Sequence, residues 1–258
     1  MNTCYCFKLA DSVKYSVKPL KLEMRADMSR YRYLILVLLA AFASSCGDNN
    51  NPTTNKKSTE QVKDIVRVST PEPTAATTNI LFFGTSLTAG LGVDPEQAFP
   101  ALIQNNIDSL HLPYKVINAG LSGETSAAGK NRIDWLLKQP VDIFILELGA
   151  NDGLRGIPVK ETKANLQDLI NRVKKKYPEA KLVMAGMQMP PSMGQKYTTD
   201  FKNLFPVIAK ENKMSYIPFL LDGVGGIPSL IQEDGLHPNA KGHKILAANV
   251  WKILQPLL

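Results

Sequence analysis

From Asn79 onward, short and mostly apolar runs alternate with longer stretches in which apolar side chains recur every three or four residues. The short runs are typical of strands buried on both faces, and the longer spacing is typical of amphipathic helices. This alternation predicts an α/β fold, a three-layer α/β/α domain with a five-stranded parallel sheet. The predicted strands are 80–83, 115–118, 142–148, 181–186 and 215–218, and the predicted helices are 96–109, 126–138, 162–176, 199–212 and 240–254.

The N-terminal region has a different pattern. Arg30 and Arg32 precede an unbroken apolar run at 33–43, which is shorter than the ~20 residues that span a bilayer and ends in small residues. The sequence Ala-Ser-Ser-Cys at 43–46 resembles a bacterial lipobox, in which the cysteine is lipidated and becomes the first mature residue. We therefore expect a signal peptide and a membrane anchor on Cys46. The alternative is a plain signal peptide with an incidental cysteine.

The chain divides into three regions. Residues 1–45 form an upstream extension and signal peptide, and Met28 as the true start would give that signal an ordinary length. Residues 46–78 hold the anchor cysteine and a polar linker, which cannot bury enough apolar surface to fold. Residues 79–258 form the folded domain. We expect a lipoprotein of the bacterial cell envelope that faces the periplasm or the cell exterior.

Composition and charge narrow the function classes. With 44% hydrophobic and 21% charged residues, the chain is an ordinary globular one. Of the formal charge of +7, +4 lies in residues 1–45, and the remaining +3 is too small to indicate nucleic-acid binding. The three cysteines, Cys4, Cys6 and Cys46, all precede the domain, which excludes a disulfide framework or a cysteine metal site there.

Glycine-rich loops follow the first three predicted strands. They read Gly-Thr-Ser-Leu at 84–87, Gly-Leu-Ser-Gly at 120–123 and Gly-Ala-Asn-Asp-Gly at 149–153. Ligands of open parallel sheets bind beyond the carboxyl ends of the strands, so these loops are the expected position of the chemistry.

A fourth segment, at 234–238, places a carboxylate and a histidine close together. A serine hydroxyl needs a base to take its proton, and the base needs an acceptor on its other ring nitrogen. Asp234 could accept from Nδ1 of His237 while Nε2 faces Ser86. Each residue alone also has a structural interpretation, with Ser86 as a helix cap, His237 and Asn151 as turn residues and Gly123 as a positive-φ position.

Together these segments resemble the GDSL, or SGNH, hydrolase family. The stretches 83–90, 118–126, 148–153 and 234–238 resemble its four sequence blocks in order, and the resemblance extends from Asn79 to the end of the chain. It is closest to small bacterial periplasmic esterases with arylesterase, acyl-thioesterase and lysophospholipase activities. The family implies a flavodoxin-like strand order, 2-1-3-4-5, which would bring Ser86 and Asn151 face to face.

The resemblance also implies a role for each site residue. Ser86 would be the nucleophile, His237 its base and Asp234 the orienting carboxylate, with the Ser86 N–H, the Gly123 N–H and the Asn151 amide as oxyanion donors. One departure is that Thr85 stands where the family usually has Asp before the nucleophile. This substitution puts the local bracing of the loop in doubt.

We therefore expect a monomeric serine esterase acting on short acyl or aryl esters, with thioesters and lysophospholipids as further candidates and without cofactor or metal. Alternatives are a carbohydrate acetyl esterase and a non-catalytic, lipid-anchored binding protein of the same fold. The glycine loops do not match nucleotide-binding spacings, and three scattered histidines do not form a metal site. His111 and His243 are expected to be structural or solvent-facing. The methionine-rich loop 187–194 could line an acyl pocket or pack in the core.

Overall fold

The computed structural model describes residues 78–258, so the predicted signal peptide, Cys46 and most of the linker lie outside the described residues. Five parallel strands form one sheet in the order β2-β1-β3-β4-β5. The predicted α/β class and strand order are confirmed. The strands are β1 (Thr78–Gly84), β2 (Tyr114–Gly120), β3 (Ile143–Glu147), β4 (Lys181–Ala185) and β5 (Ser215–Ile217).

The helices are α1 (Ser86–Ala89), α2 (Phe99–Ser109), α3 (Ser126–Leu136), α4 (Ala150–Leu154), α5 (Val159–Lys176), α6 (Gln195–Asn212) and α7 (Ala240–Leu254). Helix α2 packs on α7, while α5 packs on both α3 and α6, so the helices form two groups. Within residues 78–258, no helix combines the length and the hydrophobicity that a bilayer span requires.

Some predicted boundaries shift for local reasons. The helix predicted at 96–109 is divided into a 3₁₀ turn at Pro95–Gln97 and helix α2, which begins at Phe99. Pro100 has no N–H to donate and is tolerated in the first turn of a helix, so it favours a new start there. Helices α1 and α4 were not predicted, because four or five residues are too few for a helical period to be recognised.

The core lies on both faces of the sheet, as strand β1 shows. Residues 80–83 of β1 are fully buried, and because successive side chains point to opposite faces, both faces must be covered. The Phe82 ring meets Phe99 of α2 edge-on at 5.7 Å, and the Phe83 ring stacks on Phe144 of β3 at 6.0 Å. Burial of each such side chain stabilises the fold by roughly 2 kcal/mol, which fixes β1 and β3 side by side.

Candidate active site

The fold brings the predicted site residues to one cavity. Because β1 and β3 are neighbours on either side of the point where the strand order reverses, the loops after them lie together. Ser86 begins α1, directly after β1, and Asn151 lies in the first turn of α4, directly after β3. Ser86, Gly123, Asn151 and His237 all line a cavity of about 650 Å³.

Ser86, His237 and Asp234 form a continuous chain of hydrogen bonds. The Oγ atom of Ser86 lies 2.8 Å from Nε2 of His237, and Nδ1 of His237 lies 2.5 Å from Oδ2 of Asp234. The backbone N–H groups of His237 and Leu236 donate to Oδ1 of Asp234 at 3.0 and 2.9 Å. The hydrogen bonds from His237, with that from the Leu236 N–H, lower the pKa of Asp234 to about 2.

An ionised Asp234 therefore faces Nδ1 of His237 at neutral pH. This carboxylate favours the tautomer with its hydrogen on Nδ1, which leaves the lone pair of Nε2 for the Ser86 hydroxyl. The arrangement can take up the hydroxyl proton while Ser86 attacks a carbonyl carbon.

The residues that line the cavity also supply N–H donors. Gly123 has a φ of +78°, a left-handed conformation that favours glycine. Within residues 78–258, the N–H groups of Gly123 and Ser86 have no hydrogen-bond acceptor. The Asn151 amide donates one hydrogen to the carbonyl oxygen of Glu124 at 3.1 Å, which leaves its second hydrogen for another acceptor. Three donors at one cavity can stabilise an oxyanion.

An ion pair between the buried Glu124 and the partly exposed Arg132 braces the Gly123 loop, and it was not predicted from the sequence. The carboxylate of Glu124, whose side chain is 2% exposed, accepts two hydrogen bonds from Arg132 at 2.8 and 2.5 Å. Arg132 also donates to the carbonyl oxygen of Ala119 and lies 4.5 Å above the Phe83 ring. Glu124 thus positions both its neighbour Gly123 and, through its carbonyl group, Asn151. Glu124 precedes α3 and Arg132 lies within it, so the eight-residue spacing between them is a weak sequence signal for this pair.

Two further buried carboxyl groups fix the other loops. Asp152 accepts hydrogen bonds from the N–H and the hydroxyl of Ser126 at 2.8 and 2.5 Å, which links α4 to the start of α3. Glu147 accepts a hydrogen bond from the Thr85 N–H at 2.8 Å. Burial raises the pKa of Glu147 to about 7, although its hydrogen bonds act in the opposite direction. The loop that contains Thr85 in place of Asp is therefore braced by a carboxyl group from β3.

The remaining predictions concern side chains near the cavity. Met187 is buried and Met189 is half-buried, and both line the cavity, so the methionine-rich loop contributes to the core and to the pocket. His111 is exposed in the turn after α2. His243 is buried in α7, where its Nδ1 accepts the Phe99 N–H at 3.2 Å, so its role is structural. Among residues 78–258, no group of three or more His, Cys, Asp or Glu side chains could hold a metal ion.

Comparison with known proteins agrees with this geometry. Residues 82–245 match the model of the GDSL-like lipase/acylhydrolase family. The chain is 37% identical to esterase TesA of Pseudomonas aeruginosa over 185 residues, which cover 71% of this chain and 91% of the relative. It is 36% identical over the same length to thioesterase 1/protease 1/lysophospholipase L1 of Escherichia coli K12, covering 71% and 86% of the two chains.

Solved structures of esterases are similar to this chain in fold as well as in sequence. The crystal structure of TesA has a TM-score of 0.67 and 36% identity, and the match covers 70% of this chain and all of that one. Psychrotrophic esterase EstA from Pseudoalteromonas sp., inhibited by monoethylphosphonate, has a TM-score of 0.66 and 31% identity over 70% and 98% of the two chains. Fold, cavity and relatives agree, and the chain belongs to the GDSL/SGNH lipase/acylhydrolase family of serine ester hydrolases.

Proposed function

We propose that this carboxylic ester hydrolase works through an acyl-enzyme on Ser86. The observation that carries the proposal is the unbroken chain from Asp234 through His237 to Ser86 at the edge of the cavity. His237 takes the hydroxyl proton as Ser86 Oγ bonds to the ester carbonyl carbon, and then gives that proton to the departing alcohol. Water, activated by His237 in the same way, releases the acid and restores Ser86.

The negative charge of each tetrahedral intermediate lies on the former carbonyl oxygen. The N–H groups of Ser86 and Gly123 and the free amide hydrogen of Asn151 donate to it. Since Arg132 and Glu124 hold two of these donors in advance, little reorganisation is needed in the transition state, which is how such donors lower a barrier.

The lining of the cavity supports a substrate with an uncharged, largely apolar acyl or aryl group. Leucine, methionine and proline side chains dominate it, and His237 is the one ionisable side chain among the described lining residues. We propose short acyl and aryl esters as substrates, with thioesters and lysophospholipids as further candidates. Relatives named esterase, thioesterase 1/protease 1/lysophospholipase L1 and arylesterase support this range.

The test compares wild type with Ser86→Ala on para-nitrophenyl acetate. The variant should lose several orders of magnitude in turnover while its fold and thermal midpoint are retained, and chelators should not change the wild-type rate. Full activity of Ser86→Ala would contradict the mechanism, and no hydrolysis by wild type would favour a binding protein. A panel of acyl chain lengths, lysophospholipids and acetylated sugars would define the substrate. A preference confined to acetylated sugars would favour a carbohydrate esterase.

We also propose that Cys46 carries a lipid anchor and that the domain works at a bacterial membrane, facing the periplasm or the exterior. The lipobox-like sequence 43–46 supports this location. Wild-type protein should partition into detergent and incorporate a palmitate analogue, while Cys46→Ala should do neither. Partition of wild type into the aqueous phase, with an unmodified N-terminus, would contradict the anchor and leave the hydrolase mechanism intact.

A further inference from the structure

Glu147 is a buried carboxyl group next to the turn that carries Ser86. It ends β3 after four buried apolar residues and is itself 1% exposed. The sheet register pairs it with Gly84, the last residue of β1. A Cβ atom at Gly84 would lie only 2.5 Å from Oε2 of Glu147, so the glycine is what allows the carboxyl group to reach the turn.

One oxygen of this carboxyl group is the acceptor for both ends of the turn. Oε2 of Glu147 accepts from the Thr85 N–H and the Thr88 hydroxyl, each at 2.8 Å, and from the Thr88 N–H at 3.3 Å. The Thr85 hydroxyl lies 3.0 Å from Oε1 and 3.2 Å from Oε2. Among the described residues, Glu147 has no cationic partner.

The position of these contacts matters because Thr85 and Thr88 flank the serine. Thr85 is the N-cap residue of α1, and its side chain makes no capping bond within the helix. Glu147 instead supplies an acceptor to the start of α1 from a different strand, including for the N–H of its third residue. The backbone on both sides of Ser86 is therefore held by one atom of β3.

We propose that Glu147 is a positioning residue for the nucleophile. Its Oε2 atom fixes the turn 85–88 so that Ser86 Oγ stays within hydrogen-bond distance of His237 and the Ser86 N–H remains at the cavity. This inference rests on the proposed role of Ser86 and extends it to a side chain that lines no part of the cavity.

The protonated, neutral form of the Glu147 carboxyl group can fill the same role as its carboxylate form. A proton on Oε1 can be donated to the Thr85 hydroxyl oxygen, while Oε2 continues to accept from Thr88 and from the Thr85 N–H. The pKa of Glu147, raised by burial to about 7, is consistent with a group that serves in both forms. A glutamine has the same shape, with its amide nitrogen in place of Oε1 and its oxygen in place of Oε2.

The test compares Glu147→Gln with Glu147→Leu on para-nitrophenyl acetate, at a temperature where each variant is fully folded. Glu147→Gln should keep kcat within about threefold of wild type, because the acceptor is retained. Glu147→Leu leaves two buried N–H groups without an acceptor, and kcat should fall about 100-fold while KM changes less than about threefold. The rate at which a fluorophosphonate labels Ser86 should fall in parallel, since this reaction needs the same aligned oxygen.

Asn212→Ala is the matched control. Asn212 is also buried and hydrogen-bonded, but it links α5 to α6 and lies outside the turn and the cavity. Its loss should lower stability while leaving kcat and the labelling rate at wild-type values. A purely structural role for Glu147 would give the same result in Glu147→Leu.

Wild-type kcat and labelling rate in folded Glu147→Leu would overturn the proposal. If Glu147→Leu does not fold, Thr88→Val serves instead, because it removes only the hydroxyl donor to Oε2. We expect kcat of Thr88→Val to fall about fivefold at constant KM, and an unchanged kcat would overturn the proposal. A failure of the proposed function can be distinguished from a failure of this proposal, because Ser86→Ala would retain activity only in the first case.

Discussion

Two buried ionisable side chains, Glu147 and His243, should give the free energy of unfolding opposite dependences on pH. Burial raises the pKa of Glu147 from its ordinary 4.5 to about 7. The folded protein then binds this proton more tightly than the unfolded chain. The contribution of Glu147 to stability is therefore fully present below pH 4.5 and is lost as the pH rises to 7, by about 3 kcal/mol in total.

His243 acts in the opposite direction. Burial, with a smaller effect from His237, lowers its pKa from 6.5 to about 4. The folded protein binds this proton less tightly than the unfolded chain, so the contribution of His243 is present above pH 6.5 and is lost as the pH falls to 4. Its magnitude is also about 3 kcal/mol. Between pH 4.5 and 6.5 the two contributions offset each other in the wild-type protein.

Single substitutions should reveal each contribution. We will compare variants by urea unfolding between pH 4 and 8. The free energy of unfolding of Glu147→Gln should rise by about 3 kcal/mol relative to that of wild type as the pH rises from 4.5 to 7. His243→Gln, which keeps an acceptor for the Phe99 N–H, should gain a similar amount as the pH falls from 6.5 to 4. Asn212→Ala is the control, because it should destabilise the protein by the same amount at every pH.

The difference in free energy of unfolding between Glu147→Gln and wild type could stay constant from pH 4 to 8. That result would refute the inference that burial raises the pKa of Glu147. The same flat result for His243→Gln would refute the argument for its imidazole. Equal m-values for all variants are required for the comparison, since a change in m would indicate an altered unfolded state.

Three further substitutions test the site. Under the proposed mechanism the Asn151 amide acts mainly in the transition state, so Asn151→Ala should lower kcat about 100-fold with little change in KM. An unchanged kcat in steady-state kinetics would make Asn151 a turn residue. Asp234→Asn should lower kcat about 1000-fold or more, since the wrong His237 tautomer is favoured; activity within tenfold of wild type would contradict the orienting role. Gly84→Ala places a Cβ atom 2.1 Å from the Thr88 hydroxyl oxygen, so it should lower the free energy of unfolding by about 2 kcal/mol and remove most of the activity. Wild-type stability in thermal or urea unfolding would show that the turn can shift to accept the methyl group.

Much of the fold and the exposed part of the site follow from the sequence alone. The alternation of apolar runs and amphipathic stretches is a local property, so it predicts a parallel α/β sheet without knowledge of contacts. The loops after β1, β2 and β3 and the segment that contains Asp234 and His237 could be found for the same reason. Each is a short stretch of chain, and parallel strands bring their carboxyl ends to one edge.

The braces behind these loops depend on the tertiary structure. Glu147 reaches Thr85 and Thr88 only because β1 pairs with β3 in a register that sets it beside Gly84, and 62 residues separate Glu147 from Thr85. Asp152 and Ser126 meet across 26 residues in the same way. In sequence, these acidic residues resemble any others. Their partners, and with them the raised pKa of Glu147, are determined by the packing of whole strands and helices, because burial and hydrogen bonding are properties of the folded surroundings.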